Sequence, residues 1–284
     1  MQKHWFIKQT PDPEKIQATV TDLKVSPIMA SLLTQRNLTT LPQIRSFFTP
    51  ELNGLHDPFL LLNMQEAVER LQTAIASGQR ILVFGDYDVD GTTSVALVYS
   101  VLKEFASVDH YIPDRYEEGY GLSYKGIDTA LENGCQLLIA LDCGIKEVEK
   151  VRYAKDKGLD IIICDHHTPG AEIPDCIVLD PKQEGCAYPF KELCGCGVGF
   201  KLLQAWFTAT DKDPEKLFDY LDLVAIAIGA DIVSVSGENR ILCKHGIQRM
   251  NANPRAGIAA LVEQAQRSFP LDLSNVVFTI APRI

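Results

Sequence analysis

Three aspartates at alternate positions, Asp86, Asp88 and Asp90, are the most unusual chemical feature of this 284-residue chain. They stand in a glycine-containing loop that follows the short apolar run 80–84. Neighbouring carboxylates repel one another, so such a cluster is costly unless a cation binds among them. The spacing therefore predicts a metal site at this loop.

Other short apolar segments are also followed by carboxylate or imidazole side chains, which belong to Asp142, Asp165, His166, His167 and Asp231. Ligands of open α/β sheets bind beyond the carboxyl ends of the strands, so we expect these segments to converge on one point. Carboxylates mixed with imidazole suit Mn²⁺ or a similar ion better than Ca²⁺. More than four potential ligands favours two ions, a pair that activates water for attack on phosphorus.

Each part of this pattern also has a simpler interpretation. The first loop imitates a calcium loop, but that loop needs a glutamate six residues after Gly91, where this chain has Leu97. Asp142 could cap a helix, residues 165–167 could form a surface turn, and Asp231 could be a buried carboxylate satisfied by backbone amides. The occurrence of all four segments at strand or helix ends favours the metal site.

Short apolar strands alternate with helical periodicity along the middle of the chain. Strands are predicted at 80–84, 108–112, 137–141, 161–164 and 177–179, and the helices between them at 92–105, 123–133 and 146–157. Three more helices are predicted at 199–208, 214–228 and 239–250. This alternation predicts an α/β fold with a parallel sheet covered by helices on both faces.

The first part of the chain has a different character. Residues 1–60 contain short helical segments broken by proline and end in a linker with Gly54 and Pro58. We expect a small helical N-terminal extension at 1–60 and the main domain at 61–284. A helix at 64–76 begins that domain, because its apolar residues recur with helical spacing.

Composition indicates a folded chain outside the membrane. Hydrophobic residues make up 46% of the sequence, and no apolar run approaches the roughly 18–20 residues of a membrane span. The N-terminus lacks the apolar stretch of a secretory signal, so we expect a cytoplasmic protein with its eight cysteines reduced. Cys194 and Cys196 have the spacing of half a zinc site, but no second pair follows them.

The formal net charge of −10 argues against non-specific binding of nucleic acid, which depends on Lys and Arg. Divalent ions in a carboxylate cluster would reverse the local sign of the charge. A basic surface on a part of the protein outside this sequence would also weaken the argument against binding of nucleic acid.

Taken together, the acidic segments resemble the motifs of DHH phosphoesterases. Residues 165–167 spell the Asp-His-His signature of that family, and residues 85–91 resemble its first motif in the RecJ form. The second, glycine-rich and fourth motifs resemble residues 142–144, 197–201 and 230–233, and a RecJ segment between the first two motifs is similar to residues 112–123. The resemblance runs from about residue 80 to the C-terminus.

The resemblance implies two divalent metal ions, Mn²⁺ or Mg²⁺. The implied ligands are Asp88, Asp90, Asp142, His166 and Asp231, with Asp142 as the bridging and therefore catalytic carboxylate. Asp86 and Asp165 would be further ligands or would orient the imidazole rings.

The resemblance also implies contacts with substrate. His167 would act on the scissile phosphate, as a hydrogen-bond donor or as a general acid, while Tyr120 and Ser123 belong to the segment expected to bind substrate. Arg115 would hold phosphate through its planar fork. The alternative for Arg115 is an ion pair with Asp114 or Glu118.

The implied activity is a 5′→3′ single-stranded DNA exonuclease that releases 5′-mononucleotides in DNA repair and recombination. Single-stranded DNA would be its substrate, and a single-strand-binding protein and a helicase its partners. One alternative is a DHH phosphodiesterase acting on short oligonucleotides, cyclic dinucleotides or pyrophosphate. Those relatives usually place a His where this chain has Phe84 and Gly85. The other alternative, a non-catalytic replication scaffold, disagrees with the retention of every ligand position.

RecJ proteins continue from a similar Pro-Arg segment into a second domain and a nucleic-acid-binding barrel. Residues 260–284 resemble neither of these. We therefore expect this sequence to be the catalytic part of a longer protein.

Overall fold

Five parallel strands form the central sheet of this computed structural model, which describes residues 4–7, 9 and 11–284. The strands are β1 (Arg80–Gly85), β2 (Val108–Tyr111), β3 (Cys135–Leu141), β4 (Asp160–Cys164) and β5 (Ile177–Leu179). Their order across the sheet is β2-β1-β3-β4-β5, and every neighbouring pair is parallel. The carboxyl ends of β1, β3, β4 and β5 therefore lie side by side at one edge.

Helices cover both faces of the sheet. They are α4 (Met64–Ala76), α5 (Val89–Leu102), α6 (Tyr124–Glu132), α7 (Val148–Asp156) and α8 (Gly195–Ala209). Helices α6 and α7 pack on one face, where their apolar residues join Leu82, Phe84 and Leu138 in a single core cluster. Helices α4, α5 and α8 contact the strands and one another. The predicted α/β fold, with helices on both faces of a parallel sheet, is confirmed.

The rest of the chain is helical. Three helices, α1 (Pro13–Leu23), α2 (Pro27–Thr34) and α3 (Leu41–Phe48), belong to a compact unit at Met1–Gly54, and the second unit is Leu55–Ile284. Each of the three has proline in its first turn and a side-chain cap before it. The predicted N-terminal helices are confirmed. The structure divides the chain a few residues before the predicted boundary at residue 60.

The C-terminal elements differ from the prediction in detail. The segment predicted as one helix at 214–228 is a 3₁₀ helix, Pro214–Tyr220, followed by α9 (Leu221–Ala230). The helix predicted at 239–250 is α10 (Gly237–Ala252), and α11 (Ala256–Gln264) was not predicted. Short turns at Leu273–Asn275, Val276–Ile280 and Ala281–Arg283 end the chain.

Cysteine explains why α8 begins earlier than the predicted residue 199. The sulfur of Cys194 accepts a hydrogen bond from the amide of Gly197 and caps the helix, so Cys196 lies inside the first turn. Both thiols are buried, and in the described ranges all eight cysteines are free thiols.

As for membranes, no helix within the described residues combines the length and the apolar character that a crossing requires.

Candidate metal centre

The carboxyl edge of the sheet brings the predicted side chains together. Asp86 follows β1 directly, Asp142 follows β3, and Asp165 follows β4. The ladder continues past the strand ends, because the amide of Asp142 donates to the carbonyl of Cys164 and the amide of Asp165 to that of Leu179. The backbone that carries these carboxylates is therefore fixed by the sheet itself.

His166 lies at the centre of the cluster. Its Nε2 atom is 3.1 Å from Asp142 Oδ1, 3.6 Å from Asp231 Oδ2 and 3.9 Å from Asp90 Oδ2. Two groups offer ligand atoms that lie within 4.8 Å of one another. One is Asp142, His166 and His167, and the other is Asp90, His166 and Asp231. Segments that are far apart in sequence thus meet at one imidazole.

Several buried polar atoms of this cluster make no hydrogen bond of acceptable geometry, even where Asp142 Oδ1 and His166 Nε2 lie 3.1 Å apart. Among the described residues they include Asp86 Oδ2, Asp142 Oδ1 and both ring nitrogens of His166. All three side chains are almost fully buried. A buried polar atom without a partner costs free energy, and divalent cations coordinated by carboxylate and imidazole would supply the missing interactions. The donor set therefore fits the expected metal ions.

Helix α8 begins against the centre and holds Asp90. The amide of Gly195 donates to Asp90 Oδ2, and the amide of Cys196 donates to Oδ1, both at 2.7 Å. The N-terminus of a helix stabilises a carboxylate through such amides and through its dipole. Gly195 is required here, because a Cβ atom at this position would lie 2.5 Å from the Cβ of Asp142.

Burial and mutual repulsion set the ionisation of the centre. Burial raises the pKa of Asp142 well above its ordinary value, and the charge of Asp90 raises it further. Burial raises the pKa of Asp90 and Asp231 in the same direction. The pKa of His166 falls to about 4, chiefly because burial disfavours the imidazolium. His166 is therefore neutral at pH 7, as a metal ligand must be.

Asp165 has a different environment from the other carboxylates. Its Oδ1 accepts from the amides of His166 and His167 and lies 2.7 Å from His167 Nδ1, while Oδ2 accepts from the amide of Ile145. Burial opposes ionisation, but these hydrogen bonds and the charge of His167 lower the pKa of Asp165. With both oxygens engaged, Asp165 orients the imidazole of His167.

His167 also contacts an aromatic rim, which consists of Tyr87, Tyr120 and the guanidinium of Arg115. Its Nε2 is 3.1 Å from the hydroxyl of Tyr120, and the hydrogen bond to Asp165 raises its pKa. The ring of Tyr120 meets Tyr87 edge to face, and the guanidinium of Arg115 lies 4.5 Å from the centre of the Tyr87 ring.

The alternative partners of Arg115 are engaged elsewhere. Asp114 caps the following turn by accepting from two backbone amides, and Glu118 binds Tyr111 and Ser123. Within the described part of the chain, Arg115 forms no ion pair with either carboxylate. Its guanidinium therefore remains available beside the centre.

Three predicted site residues have clear local tasks. Asp88 caps α5 by accepting from the amide of Gly91. Asp86 Oδ1 accepts from the amide of Gly121, and burial raises its pKa. Ser123 is buried, caps α6 and donates to Glu118, so its hydroxyl is fully engaged.

The groups that hold this centre together were not predicted from the sequence. The backbone amides of Gly121, Ile145, Gly195 and Cys196 carry no sequence signal of their own. Asp180 and Lys182 were not predicted either, although they follow β5 at the same edge. A carboxylate directly after a predicted strand was the signal that had identified Asp142 and Asp165, and it applied equally to Asp180.

The fold and the centre define an α/β domain with a carboxylate–imidazole cluster at the carboxyl edge of its sheet. Residues 80–228, more than half of the chain, match the family described as "DHH family, N-terminal domain". The chain belongs to the DHH family.

Curated relatives and solved structures agree with this membership. The chain is 39% identical over 283 residues to the single-stranded-DNA-specific exonuclease RecJ of Bacillus subtilis (strain 168), covering 99% of this chain and 35% of the relative. It is 37% identical over 238 residues to RecJ of Escherichia coli (strain K12), covering 79% and 41%. The chain thus spans less than half the length of these two relatives.

Among solved structures, RecJ of Thermus thermophilus in complex with Mn²⁺ matches with a TM-score of 0.80 and 30% identity, over 97% of this chain and 39% of that chain. An exonuclease RecJ bound to manganese matches with a TM-score of 0.72 and 36% identity, over 79% and 57%.

Proposed function

We propose that this chain is the catalytic part of a two-metal 5′→3′ exonuclease that acts on single-stranded DNA and releases 5′-mononucleotides. The observation that carries the proposal is the convergence of Asp90, Asp142 and Asp231 on His166. Relatives that share 34–39% identity are named single-stranded-DNA-specific exonucleases, which supports the choice of substrate.

We propose that Mn²⁺ or Mg²⁺ ions occupy the centre, held by Asp88, Asp90, Asp142, His166 and Asp231. Besides burial, the charges of Asp88, Asp90, Asp165 and Asp231 all act on Asp142 and raise its pKa, and this position among the other carboxylates supports it as the bridge. Asp86 and Asp165 are proposed as further ligands or as groups that orient the imidazole rings. When bound, such a pair of ions lowers the pKa of water and stabilises charge on the attacking and leaving oxygens.

The chain's own residues complete the chemistry. Asp165 fixes the ring of His167 through Nδ1, so Nε2 is the atom presented to substrate. In the proposed reaction His167 is an imidazolium, a form that the hydrogen bond to Asp165 favours by raising its pKa, and its Nε2–H group donates to an oxygen of the scissile phosphate in place of its contact with Tyr120. Water attacks the phosphorus in line, the bond between phosphorus and the 3′ oxygen breaks, and the departing 3′ oxygen takes up a proton from that water.

The aromatic rim is proposed to bind the strand. A guanidinium fork suits phosphate, and an exposed tyrosine ring offers a face on which a base stacks without regard to sequence. Tyr120 provides the ring, beside His167, and Arg115 provides the guanidinium, over the ring of Tyr87. A single strand can bring unpaired bases to such a rim, whereas a duplex cannot.

Degradation of 3′-labelled single-stranded DNA in Mn²⁺ tests the proposal. We expect stepwise shortening from the 5′ end by the wild type, and a loss of at least a thousandfold in rate for Asp90→Ala, since one residue of a unit that acts together can remove most of the catalysis. Asp156→Ala, an exposed aspartate at the end of α7, is the matched control and should retain full activity.

Two results would contradict the proposal. Equal rates for wild type and Asp90→Ala would remove the centre from the reaction. Hydrolysis of dinucleotides or cyclic dinucleotides without shortening of long strands would assign the chain to the small-substrate DHH phosphodiesterases instead.

We also propose a cytoplasmic role in DNA repair and recombination, with single-strand-binding protein and a helicase as partners. The free state of all cysteines in the described ranges supports a reducing compartment. Calorimetric titration with purified single-strand-binding protein tests the first partner, and the absence of heat at micromolar concentrations would argue against it.

A further inference from the structure

The turn after β5 places a fourth strand end at the metal centre. Leu179, the last residue of β5, accepts a hydrogen bond from the amide of Asp165, so this turn begins beside the Asp-His-His segment. Asp180 is fully buried, and its Oδ2 has no hydrogen-bond partner among the residues that the structure describes. Lys182 follows two residues later and is partly exposed.

Hydrogen bonds hold this turn in one conformation. Asp180 Oδ1 accepts from the amide of Lys182 at 2.6 Å. The side chain of Gln183 donates to the carbonyls of Val178 and Asp180. Lys191 donates to the carbonyl of Pro181, whose ring restricts the backbone further. The Cα position of Lys182 is therefore fixed relative to the sheet edge.

Lys182 lacks the carboxylate partner that some other lysines of the chain have. Lys201 pairs with Glu238 at 2.7 Å, and Lys150 pairs with Glu147 at 2.8 Å. Within the part of the chain that the structure describes, the ammonium of Lys182 has no ion pair or hydrogen bond. Its charge is one of the smaller causes of the lowered pKa of His166, and it partly offsets the rise that burial causes in the pKa of Asp231.

We propose that Lys182 binds a phosphate group of the substrate at the metal centre, on a turn that Asp180 positions. A partly exposed cation without a carboxylate partner, held beside a centre built for phosphate chemistry, is pre-organised for an anion that arrives with the substrate. Asp180 acts through the backbone of the turn and is a positioning residue. The proposal deepens the proposed function and rests on it for the identity of the substrate.

Affinity for a 5′-mononucleotide tests the proposal apart from turnover. Isothermal titration of the Mn²⁺-loaded wild type with deoxyadenosine 5′-monophosphate is compared with Lys182→Gln, Lys182→Arg and Lys157→Gln. Lys157 is exposed at the end of α7, at the opposite edge of the sheet. Lys157→Gln therefore removes one positive charge, as Lys182→Gln does, but away from the centre. Thermal melting of each variant verifies that the fold is intact.

We expect Lys182→Gln to weaken binding of the nucleotide about tenfold or more, the usual effect of losing a hydrogen bond to a charged group. Lys182→Arg should recover most of the affinity, and Lys157→Gln should match the wild type. For a single-stranded oligonucleotide, the negative slope of log affinity against log salt should become shallower by about 0.7 in Lys182→Gln, as expected for one lost phosphate contact.

Equal nucleotide affinity and salt slope for Lys182→Gln and Lys157→Gln would overturn the assignment of Lys182, whether or not the wild type shortens DNA. A wild type that binds the nucleotide through Lys182 but does not shorten single strands would overturn the exonuclease and leave the phosphate site standing. The two proposals therefore fail by different results.

Discussion

Asp142 combines a strained backbone with an unsatisfied side chain. Its φ of 61° lies in the left-handed region, which only glycine, asparagine and aspartate adopt readily. Its carboxylate is buried beside Asp90, and Oδ1 has no hydrogen-bond partner among residues 4–7, 9 and 11–284. In the absence of metal, this residue lowers the stability of the folded chain.

Asp142→Asn should therefore stabilise the metal-free protein while weakening its metal site. Asparagine tolerates the left-handed backbone, and its Nδ2 can donate to Nε2 of His166 from the position of Oδ1. In EDTA we expect the free energy of unfolding to rise by about 1–2 kcal/mol, the usual gain when a strained functional residue is relieved. Melting in EDTA and in Mn²⁺ measures both effects. A variant with the wild-type response to Mn²⁺ would show that Asp142 is not a ligand.

Asp180 predicts a pH dependence of stability. Burial raises its pKa to about 7 in the folded chain, against about 3.9 in the unfolded chain. Between these values the folded state binds more protons than the unfolded state, so stability falls as pH rises from about 4 to about 7.

Asp180→Asn removes this titration and keeps the acceptor for the amide of Lys182. In EDTA, the free energy of unfolding of the variant relative to the wild type should therefore rise by about 2 kcal/mol from pH 5 to pH 8. The difference in Tm between the two proteins should grow over the same range. Asp156→Asn, at an exposed position, is the matched control and should show no trend. A constant difference between Asp180→Asn and wild type across this range would contradict the expectation.

At this scale, sequence predicts which side chains meet at the carboxyl end of the sheet better than it predicts the groups that hold them. Asp142, His166 and Asp231 were identified because side chains of the right type follow buried segments. The amides that hold Asp90 were not identified, because every residue carries an amide and only tertiary packing selects Gly195 and Cys196. The task of Ser123 as a helix cap was missed because capping and substrate contact use the same hydroxyl.

At the scale of elements, α8 connects the metal centre to the core. Its first turn binds Asp90, and its later turns pack against α4, α5 and the sheet. Gly195 allows this approach, since an added Cβ would lie 2.5 Å from Asp142 Oδ1. The position of the helix and the geometry of two proposed ligands are therefore coupled.

Gly195→Ala should disrupt the centre far more than an ordinary helix substitution does. The Cβ meets Asp142, so either α8 or the end of β3 must shift, and we expect at least a tenfold loss of Mn²⁺ affinity by calorimetry. The matched control is Gly257→Ala in α11, where an added Cβ meets nothing within 4 Å. That variant should gain up to about 1 kcal/mol from helix propensity. Equal Mn²⁺ affinity in both variants would contradict the coupling.

Element boundaries show where sequence patterns are insufficient. The strands were predicted within a few residues, because fully apolar runs between helices have few other interpretations. The start of α8 was missed since the sequence there, rich in glycine and cysteine, is a poor helix former. The segment 214–228 has apolar residues at helical spacing, and this spacing does not distinguish a 3₁₀ turn from the first turn of α9.

At the scale of the whole molecule, metal ions should stabilise the chain. The centre concentrates carboxylates that repel one another in a protein whose formal net charge is already −10. Binding of Mn²⁺ at a hundredfold excess over its dissociation constant adds about 2.7 kcal/mol, which corresponds to an increase in Tm of about 5–10 °C. Melting with and without EDTA measures this shift. An unchanged Tm at millimolar Mn²⁺ would contradict the proposed metal site.

The division of the chain into two units gives an independent expectation. Every contact described for the centre lies within the unit Leu55–Ile284, which also contains the core cluster around Leu82 and Phe84 and a second cluster around Ile226 and Met250. A protein comprising residues 55–284 should therefore fold and bind Mn²⁺ with an affinity within about threefold of the full chain, a difference of less than 1 kcal/mol. Calorimetry on both proteins provides the comparison. Loss of binding in the shorter protein would show that residues 1–54 contribute to the centre.

The hydrogen bonds between Asp90 and the start of α8 join residues that are 105 and 106 positions apart. A ribosome makes the chain from its N-terminus, so Asp90 emerges long before Gly195 and Cys196 are synthesised. Asp231 joins the cluster later still. The complete centre can therefore form, and capture metal, only once the polypeptide has been synthesised beyond Asp231.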